Sequence, residues 1–265
     1  MEKRSSQWFI PIVLAVAAAA ALWFYWQRVS EPVPVAAPPA VEPEEPAASI
    51  GPLHPLGEDA DSEPKPALVP LPPLDQADDY LRLEVLGIFG DSLETWLTES
   101  GLIGKLVATV DNLPRAHVAE RIRPLGRLDS PFLVDAQDAS GEYWINTGNY
   151  DRYDALIEIA MNADLNTLAE LYRRYYPLFQ DAYVNLGYPD GYFNDRLVEV
   201  IDHLLETPEI SDPVELVQPH VLYQYRDPQR EALSSGQKLL LRMGQEHASK
   251  IKSRLREFRQ LITSL

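Results

Sequence analysis

From Trp8 to Trp26 the chain runs 19 residues without a charged side chain, WFIPIVLAVAAAAALWFYW. At about 1.5 Å of rise per residue, a helix over this run covers roughly 28 Å, close to the ~30 Å hydrocarbon core of a bilayer. Trp8 and Phe9 mark one end, and Trp23, Phe24, Tyr25 and Trp26 the other, where headgroup-level anchors belong. Pro11 falls in the first turn, where its missing N–H removes no internal bond. A buried core helix is a poor account because the run has no polar face. A cleaved signal peptide would use the small residues Ala17 to Ala21, but the apolar run continues past them into four bulky aromatics. The sequence therefore predicts one uncleaved transmembrane helix over residues 8–26, with the lipid bilayer as its partner. Lys3 and Arg4 precede the run, and an acidic chain follows Arg28. This bias places a cytoplasmic tip at residues 1–7 and the remainder outside.

Between Glu31 and Leu74 lie 13 of the 23 prolines, mixed with Ala, Val and Glu. Proline fixes φ and removes a donor, and this composition buries too little apolar surface to offset chain entropy. A disordered, partly polyproline-II tether is expected over residues 27–77, with Pro70 to Pro73 as a short PxxP-like piece.

Residues 78–265 are long enough to build a core without staples, and the chain has no cysteine, so disulfides and thiolate zinc sites are excluded. The net charge of −17 argues against a nucleic-acid partner. Asp78 to Gln237 carries 12 basic and 28 acidic residues, whereas Lys238 to the end carries 7 and 2. The body is acidic and the last helix is basic.

The fold class expected is mainly α with one small β-hairpin. Tyr80, Leu81, Val85, Ile88 and Phe89 mark a first helix, with Leu93, Trp96 and Leu97 continuing after Gly90. Leu102, Leu106, Val107 and Val110 mark another, and a short helix follows through His117 to Ile122. Phe132 to Val134 and Tyr143 to Ile145 flank the turn residues Asp138-Ala139-Ser140-Gly141, which reads as the hairpin. Asn149 and Asp164 are the caps expected for the next two helices, the second passing through Pro177. Phe193, Leu197, Ile201 and Leu204 give a further helix. Residues 213–229 are poorly periodic, with Val221 to Tyr223 extended. One final helix is expected from Ser234 to the C-terminus.

The stretches LYRRYYPLF, Leu171 to Phe179, and LSSGQKLLLRMG, Leu233 to Gly244, resemble a bacterial family of single-pass membrane proteins known only as a domain of unknown function. The layout of anchor, Pro-rich linker and helical domain is similar as well. The resemblance implies the inner membrane of a Gram-negative bacterium, with the domain in the periplasm. It implies no activity and no site residues.

No catalytic, metal or cofactor motif stands out. Ser235-Gly236-Gln237-Lys238 has the S-x-x-K spacing of serine acyl-transfer enzymes, but no K-T-G string accompanies it, so a helix cap at Ser234 or Ser235 with a solvated Lys238 accounts for it. Asp135 with Asp138, Asp151 with Asp154 and Asp190 with Asp195 are carboxylate pairs of a kind any acidic chain offers. The five histidines are scattered without ligand spacing. Lys250, Lys252, Arg254, Arg256 and Arg259 would serve a packed helix, a partner helix or anionic headgroups.

Tyrosine is the unusual feature: 11 of 13 lie between Tyr143 and Tyr225. Tyr combines contact area with a hydroxyl and is favoured at binding surfaces, though core rings with a wet edge are the simpler reading. A groove of Tyr172, Tyr175, Tyr176, Tyr188, Asp190 and Tyr192 is the binding site expected. The function expected is a membrane-anchored, non-catalytic envelope protein that binds a partner protein or cell-wall polymer, without a cofactor. A cell-wall hydrolase using a carboxylate pair or Ser235 is the alternative.

Overall fold

The computed structural model describes residues 51–56, 70–128, 130–137, 142–209 and 213–264. The apolar run Trp8–Trp26, most of the tether and the hairpin tip 138–141 lie outside them. Among the described residues no helix is long and apolar enough to cross a membrane.

Asp78 opens α1 (Asp78–Phe89) and performs a second task. Gly101 stands at the N-cap of α2 (Leu102–Asn112) with φ +69 and has no side chain to offer the free amides there. The Asp78 carboxylate, from another helix, accepts from Gly101 N and from Ile103 N at 3.1 Å. A 3-10 turn, Asp91–Trp96, joins the two helices. Tyr80, expected on the apolar face of α1, is 58% exposed, and Leu86 is buried instead.

The predicted hairpin forms from β1 (Val134–Gln137) and β2 (Glu142–Ile145), with Asp135 opposite Trp144. It is half of a sheet. β3 (Glu215–Val217) pairs antiparallel with β2, and β4 (Gln224–Tyr225) with β3, giving the order β1-β2-β3-β4. Val221 and Leu222 are not strand but an exposed loop between β3 and β4. Ile145, Val214, Leu216 and Tyr225 make a small core under this sheet.

Asn149 does not cap a helix. Its side chain is buried and clamps β1's approach, accepting from Leu133 N at 2.8 Å and donating to Leu133 O at 2.6 Å. The local cap is Asn146, which accepts from Gly148 N. A 3-10 turn then leads to α3 (Asp154–Asn162). Asp164 caps α4 (Leu165–Asn185) as expected, accepting from Asn166 N at 2.9 Å, a bond that holds its carboxyl below the ordinary range. The helix runs through Pro177, which leaves the carbonyl of Arg173 without its usual partner. α5 (Phe193–Leu205) follows the Gly187–Gly191 turn.

A one-turn helix, α6 (Pro228–Glu231), precedes the expected single final helix, which is two pieces: α7 (Ser235–Arg242) begins at a capping box between Ser234 and Gln237, and α8 (Gly244–Thr263) begins at a glycine with φ +80. Positive φ breaks the helix there, and the Tyr150 ring lies where a Cβ would stand.

α4 is the spine of the main core, where Tyr175, Leu81, Ile103, Val107 and Ile262 are all about 1% exposed or less. The basic residues of α8 are largely spent inside the fold. Arg254 donates to the Ala160 and Ala163 carbonyls at the end of α3, and Lys252 to Thr207 O beyond α5. Arg259 grips Asp202 at 2.6 and 2.8 Å. Arg254 and Lys252 satisfy carbonyls that other helix ends leave free and Arg259 makes an ion pair within the fold, so neither a partner helix nor headgroups are needed to explain these three.

The tether also departs from expectation. Residues 51–56 lie on the domain: Asp195 accepts from Leu53 N at 2.9 Å and His54 N at 2.7 Å, while Asn194 donates to His54 O. Leu56, Leu71 and Leu74 pack against the main core. Two consecutive amides on one carboxylate fix this strap although its proline content predicts an unattached chain.

Candidate functional site

The structure divides the six residues of the tyrosine site. Tyr172 and Tyr175 face the core, 7% and 1% exposed. The Tyr172 ring stacks on Phe179 and its hydroxyl donates to buried Asn194 at 3.0 Å. Tyr175 donates to Glu84, which Arg174 also holds. Tyr176 and Tyr192 are half-buried, and Asp190 is exposed. Gln180 ties the turn to α4, accepting from Tyr176 and Phe193 N and donating to Gly191 O. Tyr188 stacks on Tyr183, with centroids 4.7 Å apart. The six do not line one groove.

Burial raises the hydroxyl pKa of both core tyrosines. Tyr172 moves well above the ordinary value, and Tyr175, burial reinforced by its bond to Glu84, is pushed up to about 12. The folded state thus holds these protons more tightly than the unfolded chain. Their stabilisation is complete below about pH 10 and is lost as pH rises toward 12. Urea midpoints should stay level from about pH 8 to 10 and fall above it. Tyr175→Phe should flatten part of that fall; an unchanged fall would remove Tyr175 as its source.

Tyr188 belongs to a buried charge centre. Asp111, 3% exposed, accepts from Arg196 Nε at 3.0 Å, from Arg115 at 2.9 Å and from the Tyr188 hydroxyl at 3.3 Å. Arg196 also donates to the Asp111 carbonyl. The centre joins α2, α5 and the turn between α4 and α5.

Catalytic geometry does not assemble at the S-x-x-K string. The Ser235 hydroxyl donates to Leu113 O at 3.1 Å. Lys238 is not solvated but 9% exposed, its ammonium 2.6 Å from Glu231. Burial raises the Glu231 pKa, yet Lys238 and the Tyr225 amide outweigh it and hold the carboxyl below its ordinary range. Ser234 sits 2.9 Å from His203 Nε2, but its oxygen also receives Gln237 N as a helix cap. Of the carboxylate pairs, Asp154 binds His247, Asp195 binds the strap and Asp135 binds Asn146. Among the described residues no cluster of acids and histidines could hold a metal ion.

What the structure does build is an apolar cavity of about 350 Å³. α1 supplies Val85 and Phe89, α2 Leu106, α3 Leu156, α4 Leu168 and α8 Phe258. Pro124 and Leu125 close one side. Their segment is pinned by a bridge between Leu97 and Leu125, with Thr98 N donating to Pro124 O at 2.8 Å and Gly126 N to Trp96 O at 2.7 Å. Leu125, 37% exposed, is the most exposed of the lining residues, and Val85, Phe89, Pro124 and Leu156 among others are half-buried. Tyr172 alone among the lining residues has a polar side-chain atom, and it is bonded to Asn194. The sequence did not signal this site, because leucines that line a cavity have the same helical spacing as leucines that fill a core.

Residues 102–259 match the model of a family described as protein of unknown function (DUF3014). The chain belongs to the DUF3014 family. The DUF3014 match runs from the first residue of α2 into the last turns of α8. It takes in the Asp111 centre and the Pro124–Leu125 segment, while the α1 wall of the cavity precedes it. No curated protein and no solved structure matches the chain.

Proposed function

We propose that this DUF3014 protein is a membrane-anchored protein of the bacterial envelope that works by binding, and that the cavity beside Leu125 is where it binds. The span at Trp8–Trp26 would hold it in the inner membrane, N-terminus in the cytoplasm, with the helical domain in the periplasm. The cavity carries this reading. Its volume falls within the range of small-molecule sites, and hydrocarbon voids of less than half that size remain dry and accept apolar guests. The engaged Ser235, Lys238 and Asp195 favour binding over hydrolysis. The partner is an envelope component, protein or cell-wall-associated, that presents an apolar group.

A photo-reactive phenylalanine analogue at Leu125 of the full chain, irradiated in native membranes, tests the proposal. The expected result is an adduct to an envelope component at position 125, with far less at Tyr192. Adducts at Tyr192 and none at 125 would return the site to the tyrosine-rich turn.

A further inference from the structure

We infer that the cavity takes the hydrocarbon tail of a fatty-acid anion, whose carboxylate is met by the arginines of the segment that carries Leu125. The inference rests on the binding reading above and names its ligand.

Three observations converge on that class. The lining offers no free polar side chain, so a sugar, or a peptide in extended form, would bury hydroxyls or amides without side-chain partners. A hydrocarbon tail brings no such groups. Volume sets the number of tails. A methylene occupies about the space of a liquid water, ~30 Å³, so 350 Å³ holds about a dozen, which is one chain and not the two of a phospholipid.

Charge selects the head. Of the 12 basic residues between Asp78 and Gln237, Arg115, Arg121, Arg123 and Arg127 fall within 13 positions, opposed there by Glu120 alone. In an acidic body this is a local reversal, and it flanks the two cavity-lining residues Pro124 and Leu125. Arg115 is committed to Asp111, and Arg127 to Glu120. Arg121 and Arg123 are exposed, Arg123 making one bond to Val118 O. A planar guanidinium suits a carboxylate in a bidentate fork.

The test uses the full chain in phosphatidylcholine nanodiscs and diazirine-bearing fatty acids of 8, 12 and 16 carbons, with the 12-carbon alcohol as the neutral probe. Photo-adducts should map to Leu125, Leu156 or Leu168. Labelling should tighten by up to about fourfold per methylene and level off near 12 carbons. Arg121→Glu with Arg123→Glu, both at exposed positions, should weaken labelling by the acid about tenfold or more and leave the alcohol unchanged. Equal labelling by acid and alcohol, unmoved by those changes, would overturn the anionic head. Adducts only outside the cavity, or no levelling with length, would overturn the tail. If fatty acids fail while Leu125 captures a protein in native membranes, this inference falls and the binding reading stands. If both fail, both fall.

Discussion

Replacing Asp111 by alanine should be among the most damaging single changes to the domain, at up to about 3–5 kcal/mol. The carboxylate is 3% exposed and receives Arg196, Arg115 and Tyr188, so its removal leaves the half-buried Arg196 guanidinium with only the exposed Glu199 as counter-ion. Arg115 is mostly exposed and loses little, since water replaces the carboxylate there. The cost therefore concentrates on Arg196, 19% exposed. For a domain of this size each kcal/mol is worth about 2–4 °C in melting temperature, so a fall of roughly 6–20 °C is expected by calorimetry. Asp111→Ala combined with Arg196→Met should recover much of it, because a half-buried charge left with Glu199 alone costs more than the lost attraction. A single-mutant loss below about 1 kcal/mol would show that the centre is wet and its pairs weak.

Gly244→Ala should cost about 2–5 kcal/mol through two separate effects. At φ +80 an L side chain costs roughly 1–2 kcal/mol, and the new methyl would sit 2.8 Å from the Tyr150 ring, adding about 1–3 kcal/mol of overpacking. Gly187 separates the two. Its φ is +105, but nothing lies within 4 Å of its would-be Cβ, so Gly187→Ala should show the backbone cost alone. Urea denaturation of both variants measures the difference. Equal losses at the two positions would mean that Tyr150 moves aside freely.

Local structure was legible wherever one segment carried its own instructions. Asp164 before an apolar repeat, the two β-prone runs that became β1 and β2, and Ser234 with Gln237 three residues on each state a cap or strand within a few positions. The sequence misled where distant groups decide. Ser234 begins a helix that the leucine spacing carries on to the C-terminus, and only the Tyr150 ring, 94 positions earlier, explains the break at Gly244. Asn149 has the chemistry of a cap, but Leu133 claims its side chain. Strands of two or three residues such as β4 are too short for a period to register, and they exist because β2 offers an open edge. The strap at residues 51–56 is held by its amides, which every sequence has, so only Asp195 distinguishes it from the rest of the tether. Most of the tyrosines had a legible role as core rings with a polar edge. The cavity had none, because an unfilled volume is a property of how helices meet and not of any residue in them.

The way α8 is wired also governs when the domain can form. Ile262 is 1% exposed within the main core, and the Leu261 and Ile262 carbonyls receive Arg173 and Asn194. Arg254 and Lys252 finish helices that begin 100 and 59 residues before them. A ribosome delivers these groups after all the elements that they complete. Until α8 has emerged, α3 and α5 end in open carbonyls and the Tyr172 face of α4 lacks Phe258. Folding is thereby postponed until nearly the whole domain has been synthesised.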